Sequence, residues 1–282
     1  MIELKKLFTP VSSMDADAAK AYMAGHREGE YTILDVRQPG EYEAAHLPGA
    51  RLIPLPQLPD AYQELDPEQP IIVHCAVGGR SRVAAQMLSG LGFKEVYNLA
   101  GGIKAFQGAK ATGPQELNLE LVRGDETPVE IISLAYGMEN GLQLFYETML
   151  DQARDQDLRD FFAMLSQVEE RHKQRLLEQY RRMEPAGNRP TPPDRSPAPE
   201  ILEGGFNLKE FMEKNESFLQ TVPQVLDLAM MLETQALDLY LRLAGRCSQA
   251  AAREVLLSLA EEEKAHLASL GRLLEAKLRE GS

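Results

Sequence analysis

The sequence predicts a multi-domain protein in which an α/β domain with a parallel sheet precedes an all-α four-helix bundle. The chain of 282 residues is longer than a typical single domain and has room for two hydrophobic cores. Short apolar segments alternate with helical patterns up to about residue 110, whereas only helical periodicity follows. We therefore expect a first domain over 1–111, a linker over 112–126 and a second domain over 127–282.

Four strands and three helices are predicted in the first domain. The strands are expected over 31–36, 50–55, 70–75 and 95–100, and the helices over 14–25, 57–65 and 81–91. Alternation at this spacing is typical of βαβ units with parallel strands. Residues 70–75, Pro-Ile-Ile-Val-His-Cys, are almost continuously apolar, which indicates a central strand covered on both faces.

Four long helices are predicted in the second domain, over 128–153, 156–183, 222–245 and 249–279, with a short helix over 208–217. The first helix begins at a capping box of Thr127 and Glu130, with Pro128 at the first helical position. A Pro-rich insert over 184–206 separates the second long helix from the third. Six prolines lie within 184–199, which we expect to be extended and solvated rather than packed.

The charge distribution supports two regions of different chemistry. The chain carries a net charge of −13 and has a pI of about 5.0. Residues 1–112 hold 11 Lys and Arg against 13 Asp and Glu, whereas the remainder holds 19 against 30. Such acidity argues against a protein that binds nucleic acid or docks on anionic lipid, because both functions need a basic face.

The cysteine content and the lengths of the apolar runs exclude further classes of protein. Two cysteines, Cys75 and Cys247, cannot form a disulfide framework or supply a thiolate zinc or iron–sulfur site. Cys247 is expected to be a half-exposed thiol. No signal peptide is visible and no run of about 18 apolar residues exists, so we expect a cytoplasmic protein that does not span a membrane.

An internal repeat with an offset of 94 residues marks the candidate metal ligands. In each copy a lone Glu on an apolar stripe is followed 30 residues later by a Glu-x-x-His motif, whose two side chains share one helix face. One such motif alone is typical of a solvated helix face, but a buried carboxylate is costly unless it is paired or bound to metal. Two copies in register indicate two metal ions, iron or manganese. The candidate ligands are Glu139, Glu169, His172, Glu233, Glu263 and His266.

These motifs resemble the rubrerythrins of the ferritin-like superfamily over about 128–279. The resemblance implies a ferritin-like bundle with two non-haem iron ions, or manganese, bound by these six residues, with Glu169 and Glu263 as bridges. It implies that Tyr146 and Tyr240 lie near the centre, although both are equally compatible with core residues whose hydroxyls are hydrogen-bonded.

Two departures from the rubrerythrin pattern affect the expected partners. Ala236 stands where the family typically has a further glutamate, and no rubredoxin-like Cys-x-x-Cys module follows the bundle. We therefore expect electrons to come from a separate donor or from the first domain. Bundles of this superfamily often pair, so the resemblance also implies a homodimer.

A cysteine at a glycine-rich turn is the second candidate site. Residues 75–81, Cys-Ala-Val-Gly-Gly-Arg-Ser, follow a buried strand and precede a helix. Glycines let the backbone curl so that several N–H groups and the helix N-terminus face one centre, which depresses the pKa of a thiol there. Cys75 is therefore a candidate nucleophile rather than a small core residue, and Arg80 is a candidate donor to an oxyanion. The other residues of this loop are Ala76, Val77, Gly78, Gly79 and Ser81.

The loop and its flanking motifs resemble single-domain rhodaneses over about 1–110. The matching segments are Leu34-Asp35-Val36-Arg37 with Glu41, His46-Leu47-Pro48-Gly49-Ala50, the Cys-x-x-Gly-x-Arg-Ser loop, and Asn98-Leu99-Ala100-Gly101-Gly102. The resemblance implies a rhodanese-like fold and sulfane-sulfur transfer. In this reaction Cys75 takes sulfur from thiosulfate or another persulfide donor, becomes a persulfide, and passes the sulfur to a thiol or cyanide. The backbone N–H groups of residues 76–81 would cradle the persulfide, and a role for Cys247 as sulfur acceptor is the alternative to a half-exposed thiol without function. The acidic and basic pair Asp35 and Arg37 is expected to hold the fold rather than to react.

Three functions are compatible with this pair of domains. The first is a sulfurtransferase fused to a di-iron redox domain. The second is a di-iron peroxide or oxygen reductase in which the rhodanese-like domain is a recruitment or redox-sensing module. The third is a non-enzymatic iron-binding or sensor protein, against which the intact loop from Cys75 to Arg80 argues.

Overall fold

Parallel strands and long helices occupy separate parts of the computed structural model, which describes residues 10–183, 201–215 and 219–280. The chain divides into two units, Met1–Leu117 and Asn118–Ser282. The first contains every named strand of the described residues, and the second is helical. The predicted α/β domain followed by a helical bundle is thereby confirmed.

A five-stranded parallel sheet forms the centre of the first unit, in the order β1-β5-β4-β2-β3. Its strands are β1 Ser12–Met14, β2 Thr32–Asp35, β3 Arg51–Leu52, β4 Ile71–His74 and β5 Val96–Leu99. The central strand β4 is buried along its whole length, because Ile71 and Val73 face one core cluster and Ile72 faces another. The apolar run therefore has the two-sided burial that its composition predicts.

Five helices accompany the sheet, namely α1 Ala16–Gly25, α2 Pro39–Ala44, α3 Leu58–Ala61, α4 Gly79–Gly90 and α5 Gly102–Ala105. The helix expected over 57–65 is shorter, because α3 gives way to a 3₁₀ turn at Tyr62–Glu64. The helix expected from Ser81 begins two residues earlier. Gly78 precedes it in the left-handed conformation (φ 94°), which glycine adopts without strain and which turns the chain from the loop into α4.

Two features of the first unit differ from the sequence prediction. The strand expected over 50–55 is only two residues long, although the N–H groups of Ile53 and Leu55 still donate to the carbonyl oxygens of Asp35 and Val36 at 3.0 Å and 3.2 Å. Strand β1 was not predicted, since Ser-Ser-Met lacks the apolar alternation of a strand; it pairs with β5 at the edge of the sheet.

The second unit contains four long helices, α6 Pro128–Gln152, α7 Gln156–Met183, α9 Val222–Arg246 and α10 Ala250–Glu280, with the short α8 Leu208–Asn215. Helix α6 packs along α7, and α9 packs along α10, as two helical hairpins that contact each other. The predicted capping box is present at the start of α6. Within the described residues, no helix combines the length and the apolar character needed to cross a membrane.

The last part of the predicted insert packs against the bundle. Residues 184–200 lie outside the described residues, but 201–207 form a tight turn that we call the return hairpin. Ile201 pairs with Asn207, and the Leu202 N–H donates to the Phe206 carbonyl oxygen at 2.7 Å. Leu202 is fully buried in the core cluster that contains residues of α6, α7 and α9. This end of the insert is therefore part of the fold rather than a solvated connection.

Candidate functional site

The predicted nucleophile lies between the end of β4 and the start of α4. Cys75 is 1% exposed, and its sulfur accepts a hydrogen bond from the Gly78 N–H at 3.1 Å. The Ser81 hydroxyl lies 3.4 Å from the same sulfur and 2.7 Å from Asn98 Oδ1. Since these donors converge on one atom at a helix N-terminus, the loop forms the curled turn that its glycines predict.

The environment of Cys75 favours the thiolate. Burial acts to raise the pKa of the thiol, because a charge is poorly solvated in the protein interior. Hydrogen bonds from the Ser81 hydroxyl and from the backbone of Ser81, Val77 and Gly78 outweigh burial, and the pKa is lowered from its ordinary value. A buried cysteine with a depressed pKa is equipped for nucleophilic attack.

The first residues of α5 pack against the backbone of the loop and donate hydrogen bonds to it. The Ile103 N–H donates to the Cys75 carbonyl oxygen at 2.8 Å, and the Lys104 N–H donates to the Ala76 carbonyl oxygen at 3.2 Å. Gly102 has φ 60°, and a Cβ there would lie 2.3 Å from the Cys75 carbonyl oxygen. Only glycine fits this position, which explains the second glycine of the Asn98-Leu99-Ala100-Gly101-Gly102 motif in physical terms.

Arg80 is bound by Glu41 of helix α2. The Nη1 and Nη2 groups of Arg80 donate to the two oxygens of the Glu41 carboxylate, both at 2.7 Å. This hydrogen-bonded fork lowers the pKa of Glu41 to about 2 and raises that of Arg80. The predicted oxyanion donor therefore has a partner 39 residues away, which local sequence reasoning did not find. Its only signal was the position of Glu41 in a family motif.

Asp35 and Arg37 form a buried pair next to the sheet. Arg37 Nε and Nη2 donate to the Asp35 carboxylate, and Nη2 also donates to the Ala45 carbonyl oxygen at 2.6 Å. The fully buried His74 lies with Nε2 3.6 Å from Asp35 Oδ2. Burial lowers the pKa of His74 to about 4, so this imidazole is neutral near pH 7. These buried contacts indicate that Asp35 and Arg37 stabilise the fold.

Each half of the helical repeat brings two carboxylates and one imidazole together. His172 Nδ1 on α7 lies 3.0 Å from Glu169 Oε2 and 3.4 Å from Glu139 Oε2, which α6 carries. The second half has the same arrangement. His266 Nδ1 on α10 lies 3.1 Å from Glu263 Oε2 and 3.4 Å from Glu233 Oε2, which α9 carries.

The two halves meet at their histidines. The rings of His172 and His266 stack with centroids 4.0 Å apart and an interplanar angle of 4°. Within each half the potential ligand atoms lie within 4.8 Å of one another. The six residues predicted from the repeat thus form two adjacent groups, each with the donors for one metal ion.

The chemistry of these groups fits a cation. The carboxylate atoms Glu169 Oε2 and Glu233 Oε2 are buried, and each faces the imidazole nitrogen of its own group, at 3.0 Å and 3.4 Å. Burying a carboxylate is costly unless a positive charge compensates for it. Burial opposes protonation of His266, but Glu233 and Glu169 outweigh it and raise its pKa. Carboxylate oxygens with imidazole nitrogens suit iron or manganese.

The predicted tyrosines lie in the bundle core. Tyr146 is fully buried and its ring contacts those of Phe145 and Phe162, with centroids 5.4 Å and 6.5 Å away. Tyr240 is fully buried in a different cluster, with Leu239 and Leu243 among its members. A role for their hydroxyls beside the metal groups stays a prediction.

Sequence reasoning missed a polar link beside the metal groups. Lys173, next to His172, is buried, and its Nζ lies 3.1 Å from Asn140 Oδ1 and 3.3 Å from Glu170 Oε2. Asn140 follows Glu139 on α6, so this contact joins α6 to α7 directly beside two candidate ligands. No local pattern predicted it, because a Lys on a helix is usually solvated.

Comparisons with known proteins identify both halves of the chain. A family model described as Rhodanese-like domain matches residues 16–109, and a model described as Rubrerythrin matches residues 130–274, just over half of the chain. Both resemblances predicted from the motifs are thereby confirmed. The rubrerythrin match implies iron binding, and the two Glu and His groups could bind a metal.

Curated relatives match limited stretches of the chain. Rhodanese-like/PpiC domain-containing protein 12, chloroplastic, of Arabidopsis thaliana is 47% identical over 81 residues, 27% of this chain and 27% of that protein. The uncharacterized protein YqhL of Bacillus subtilis (strain 168) is 41% identical over 87 residues, 31% of this chain and 68% of that protein. The chain thus spans about a quarter of the length of the Arabidopsis relative.

Solved structures also match about a third of the chain. A rhodanese-like domain protein from Staphylococcus aureus has 27% sequence identity and a TM-score of 0.32, over 34% of this chain and 92% of that one. A rhodanese with anions from E. coli has 33% identity and a TM-score of 0.27, over 29% of this chain and 99% of that one.

Proposed function

Because the chain belongs to the rubrerythrin family and carries a rhodanese-like domain before the rubrerythrin domain, we propose that it is a sulfurtransferase fused to a di-iron carboxylate redox domain. The observation that carries this proposal is the hydrogen bonding of Cys75, whose sulfur accepts from the Gly78 N–H and lies beside the Ser81 hydroxyl. Those donors, together with the lowered pKa of the thiol, favour a thiolate that can attack an electrophilic sulfur.

The first half-reaction loads the cysteine. The Cys75 thiolate attacks the sulfane sulfur of a donor such as thiosulfate, the S–S bond of the donor breaks, and sulfite leaves with the bonding electrons. The product is a Cys75 persulfide. The Gly78 N–H and the other loop N–H groups then donate to the outer sulfur, which carries the negative charge that the thiolate had.

The second half-reaction unloads the sulfur. A thiolate or cyanide attacks the outer sulfur of the persulfide, the S–S bond on Cys75 breaks, and the Cys75 thiolate is restored. Each donor and acceptor therefore uses the same site in turn, which is ping-pong catalysis. The hydrogen bonds to the sulfur stabilise the thiolate as the leaving group, so the lowered pKa of Cys75 assists both halves.

The second unit provides the residues for the redox domain. Two lone carboxylates, Glu139 and Glu233, and the two Glu-x-x-His motifs would hold two iron ions between the four helices, with manganese as the alternative. Bound iron supplies one-electron redox chemistry. The residues themselves bury the charged groups away from water, and the stacked imidazoles of His172 and His266 keep the two groups adjacent. Electrons would come from a separate donor.

A second function is favoured by the presence of two buried groups of Glu and His side by side. Such a site is typical of di-iron proteins that reduce peroxide or oxygen. The rhodanese-like domain would then be a recruitment or redox-sensing module. The two functions are distinguished by Cys75→Ser. Under the first function this variant abolishes the main activity of the protein, sulfur transfer, whereas under the second it spares the main activity, peroxide consumption.

The experiment measures iron content and sulfur transfer on one sample of the full chain purified without oxygen. We expect about two iron ions per chain and thiocyanate formation from cyanide, with thiosulfate and with an organic persulfide as donors. Cys75→Ser should lose thiocyanate formation and keep the iron. If the wild type binds iron and consumes peroxide but forms no thiocyanate with either donor, the sulfurtransferase proposal is wrong and the second function stands.

A further inference from the structure

The two metal groups differ in their surroundings. The first metal group consists of Glu139, Glu169 and His172, and the second consists of Glu233, Glu263 and His266. Resting on the proposed metal binding, we propose that the second group takes up its metal ion before the first. Lys173 disfavours a cation in the first group, and Glu262 favours one in the second. The bundle therefore fills in a fixed order.

A buried ammonium lies beside the first group. The side chain of Lys173 is 9% exposed, and its Nζ lies 3.1 Å from Asn140 Oδ1 and 5.7 Å from the centre of the Tyr136 ring. Both contacts are favourable for a positive charge. Residue 267, the equivalent of Lys173 in the second copy of the repeat, is a leucine. An ion that enters the first group therefore meets a repulsion that has no counterpart at the equivalent position of the second.

The carboxylate that pairs with Lys173 only partly offsets this repulsion. Glu170 Oε2 lies 3.3 Å from Lys173 Nζ, but the Glu170 side chain is 48% exposed. Water and salt screen the charge of an exposed group more strongly than that of a buried one. The pair therefore leaves a net positive potential inside the bundle beside His172.

The charges around the two Glu-x-x-His motifs support the same order. Over 167–173 two basic residues and one acidic residue accompany the candidate ligands, a net charge of +1. Over the equivalent residues 261–267 one basic residue and two acidic residues accompany them, a net charge of −1. The negative charge of Glu262 acts on His266, whereas the equivalent residue of the first copy is Val168. The second group therefore attracts a cation more strongly.

The second group is also nearer to solvent. The side chain of His266 is 18% exposed, whereas that of His172 is 7% exposed. A metal ion arrives with a shell of water, and it needs a path by which protein ligands replace that water. His266 is accessible for the first of these exchanges, so the group with the more favourable charge is also the one that an ion reaches more easily.

The first ion makes the second one bind more weakly. The rings of His172 and His266 stack with centroids 4.0 Å apart, so an ion in the second group places its charge close to the first group. This repulsion adds to that of Lys173. We therefore expect two separate binding steps rather than one step in which both ions bind with equal affinity.

The test is a calorimetric titration of the metal-free full chain with Co²⁺, which binds to oxygen and nitrogen ligands as ferrous iron does. We expect two binding steps whose Kd values differ by about tenfold or more. His266→Ala should remove the tighter step, and His172→Ala should remove the weaker one. Because each variant removes one ligand from one group, the pair assigns each step to its group.

Two charge variants test the cause of the order. Lys173→Gln keeps an amide donor and removes the charge, so it should strengthen the weaker step about fivefold or more and leave the tighter step unchanged. Arg171→Gln is the matched control, because Arg171 is an exposed residue next to His172 and its loss changes the net charge equally. Glu262→Gln should weaken the tighter step about threefold, with the exposed Glu254→Gln on the same helix as control.

The outcomes separate this inference from the proposed function. The inference is wrong if His172→Ala loses the tighter step and His266→Ala keeps it, or if wild type binds two ions with one affinity. Equal effects of Lys173→Gln and Arg171→Gln on the weaker step would also overturn it. If circular dichroism shows that Lys173→Gln does not fold, the two histidine variants and Glu262→Gln decide the question. If wild type binds neither Co²⁺ nor ferrous iron, the proposed di-iron function itself fails.

Discussion

A Cβ atom at Gly141 would lie 2.1 Å from the carbonyl oxygen of Ile201, so the return hairpin 201–207 crosses helix α6 backbone against backbone. The hairpin also meets α9, where a Cβ at Gly204 would lie 2.8 Å from the Cβ of Gln235. Gly141 is two residues after Glu139, and Gln235 is two residues after Glu233. The hairpin therefore contacts both helices that carry the lone carboxylates, at equivalent positions of the repeat.

We expect Gly141→Ala to destabilise the bundle and to weaken iron binding. The new methyl group meets rigid backbone rather than a flexible side chain, and overpacking of this kind costs roughly 1–3 kcal/mol of unfolding free energy. The shift of the hairpin should also move α6 relative to α9. Urea unfolding of the metal-free protein and iron titration followed by absorbance measure the two effects.

Gly245→Ala is the matched control for that prediction. Gly245 lies in helix α9, and a Cβ there meets nothing within 4 Å. Alanine in place of a helical glycine normally stabilises by about 0.5–1 kcal/mol, so this variant should unfold at higher urea with unchanged iron binding. Equal behaviour of the two variants would show that the contact with Ile201 does not matter.

The stability of the protein should depend on iron through the metal groups. Glu233→Gln removes a buried carboxylate that pairs with His266, and losing one partner of a buried pair is costly, so the iron-free variant should be less stable than wild type. Iron should raise Tm of the wild type markedly, because a ligand that binds only the folded state stabilises it. The rise should be much smaller in the variant. Tm with a chelator and with ferrous iron, measured without oxygen, gives both values.

The response to iron decides whether Glu233 is a ligand. An unchanged rise of Tm with iron in Glu233→Gln would indicate that Glu233 is a structural hydrogen-bonding residue and not a ligand. Glu254→Gln is the control, because Glu254 is an exposed carboxylate on the same helix α10 outside the metal groups.

Local patterns explain what the sequence predicted well. The loop from Cys75 to Ser81 depends on glycines and on its place between a strand and a helix, all of which are adjacent in sequence. The six metal-group residues follow from i, i+3 spacing and from the repeat, since helical periodicity converts directly into a shared face. Both sites could therefore be predicted without knowledge of long-range packing.

Contacts between distant segments explain what was missed. The pair of Arg80 and Glu41 joins two helices 39 residues apart in sequence, and the return hairpin meets Gly141 across 60 residues. Neither separation leaves a periodic signal. Strand β1 likewise exists because β5 offers it an edge, not because Ser12–Met14 has the composition of a strand. Helix α2 did carry a local signal, the capping box of Gln38 and Glu41 with Pro39 at the first helical position, which Gly40 obscured.

Gly102→Ala should disable sulfur transfer. The alanine Cβ would lie 2.3 Å from the Cys75 carbonyl oxygen, and φ 60° is strained for any residue with a side chain. The loop must shift, so the donors to the Cys75 sulfur lose their alignment and kcat should fall about tenfold or more. Gly40→Ala, where a Cβ meets nothing within 4 Å, is the control. Circular dichroism and iron content of the same samples establish that the loss is confined to the loop; wild-type turnover by Gly102→Ala would contradict the prediction.

The lowered pKa of Cys75 predicts the pH dependence of its reactivity. Thiolate is the reactive form, so the rate of alkylation by iodoacetamide should rise with pH through the folded pKa and level off at a lower pH than for an ordinary cysteine thiol. Ser81→Ala removes one of the donors that lower the pKa, so it should move the midpoint to higher pH. Ser89→Ala, two turns further along α4, should leave the midpoint unchanged. Mass spectrometry of the Cys75 peptide follows the rate separately from Cys247, and a midpoint that is the same in Ser81→Ala as in wild type would mean that the backbone donors alone set the pKa.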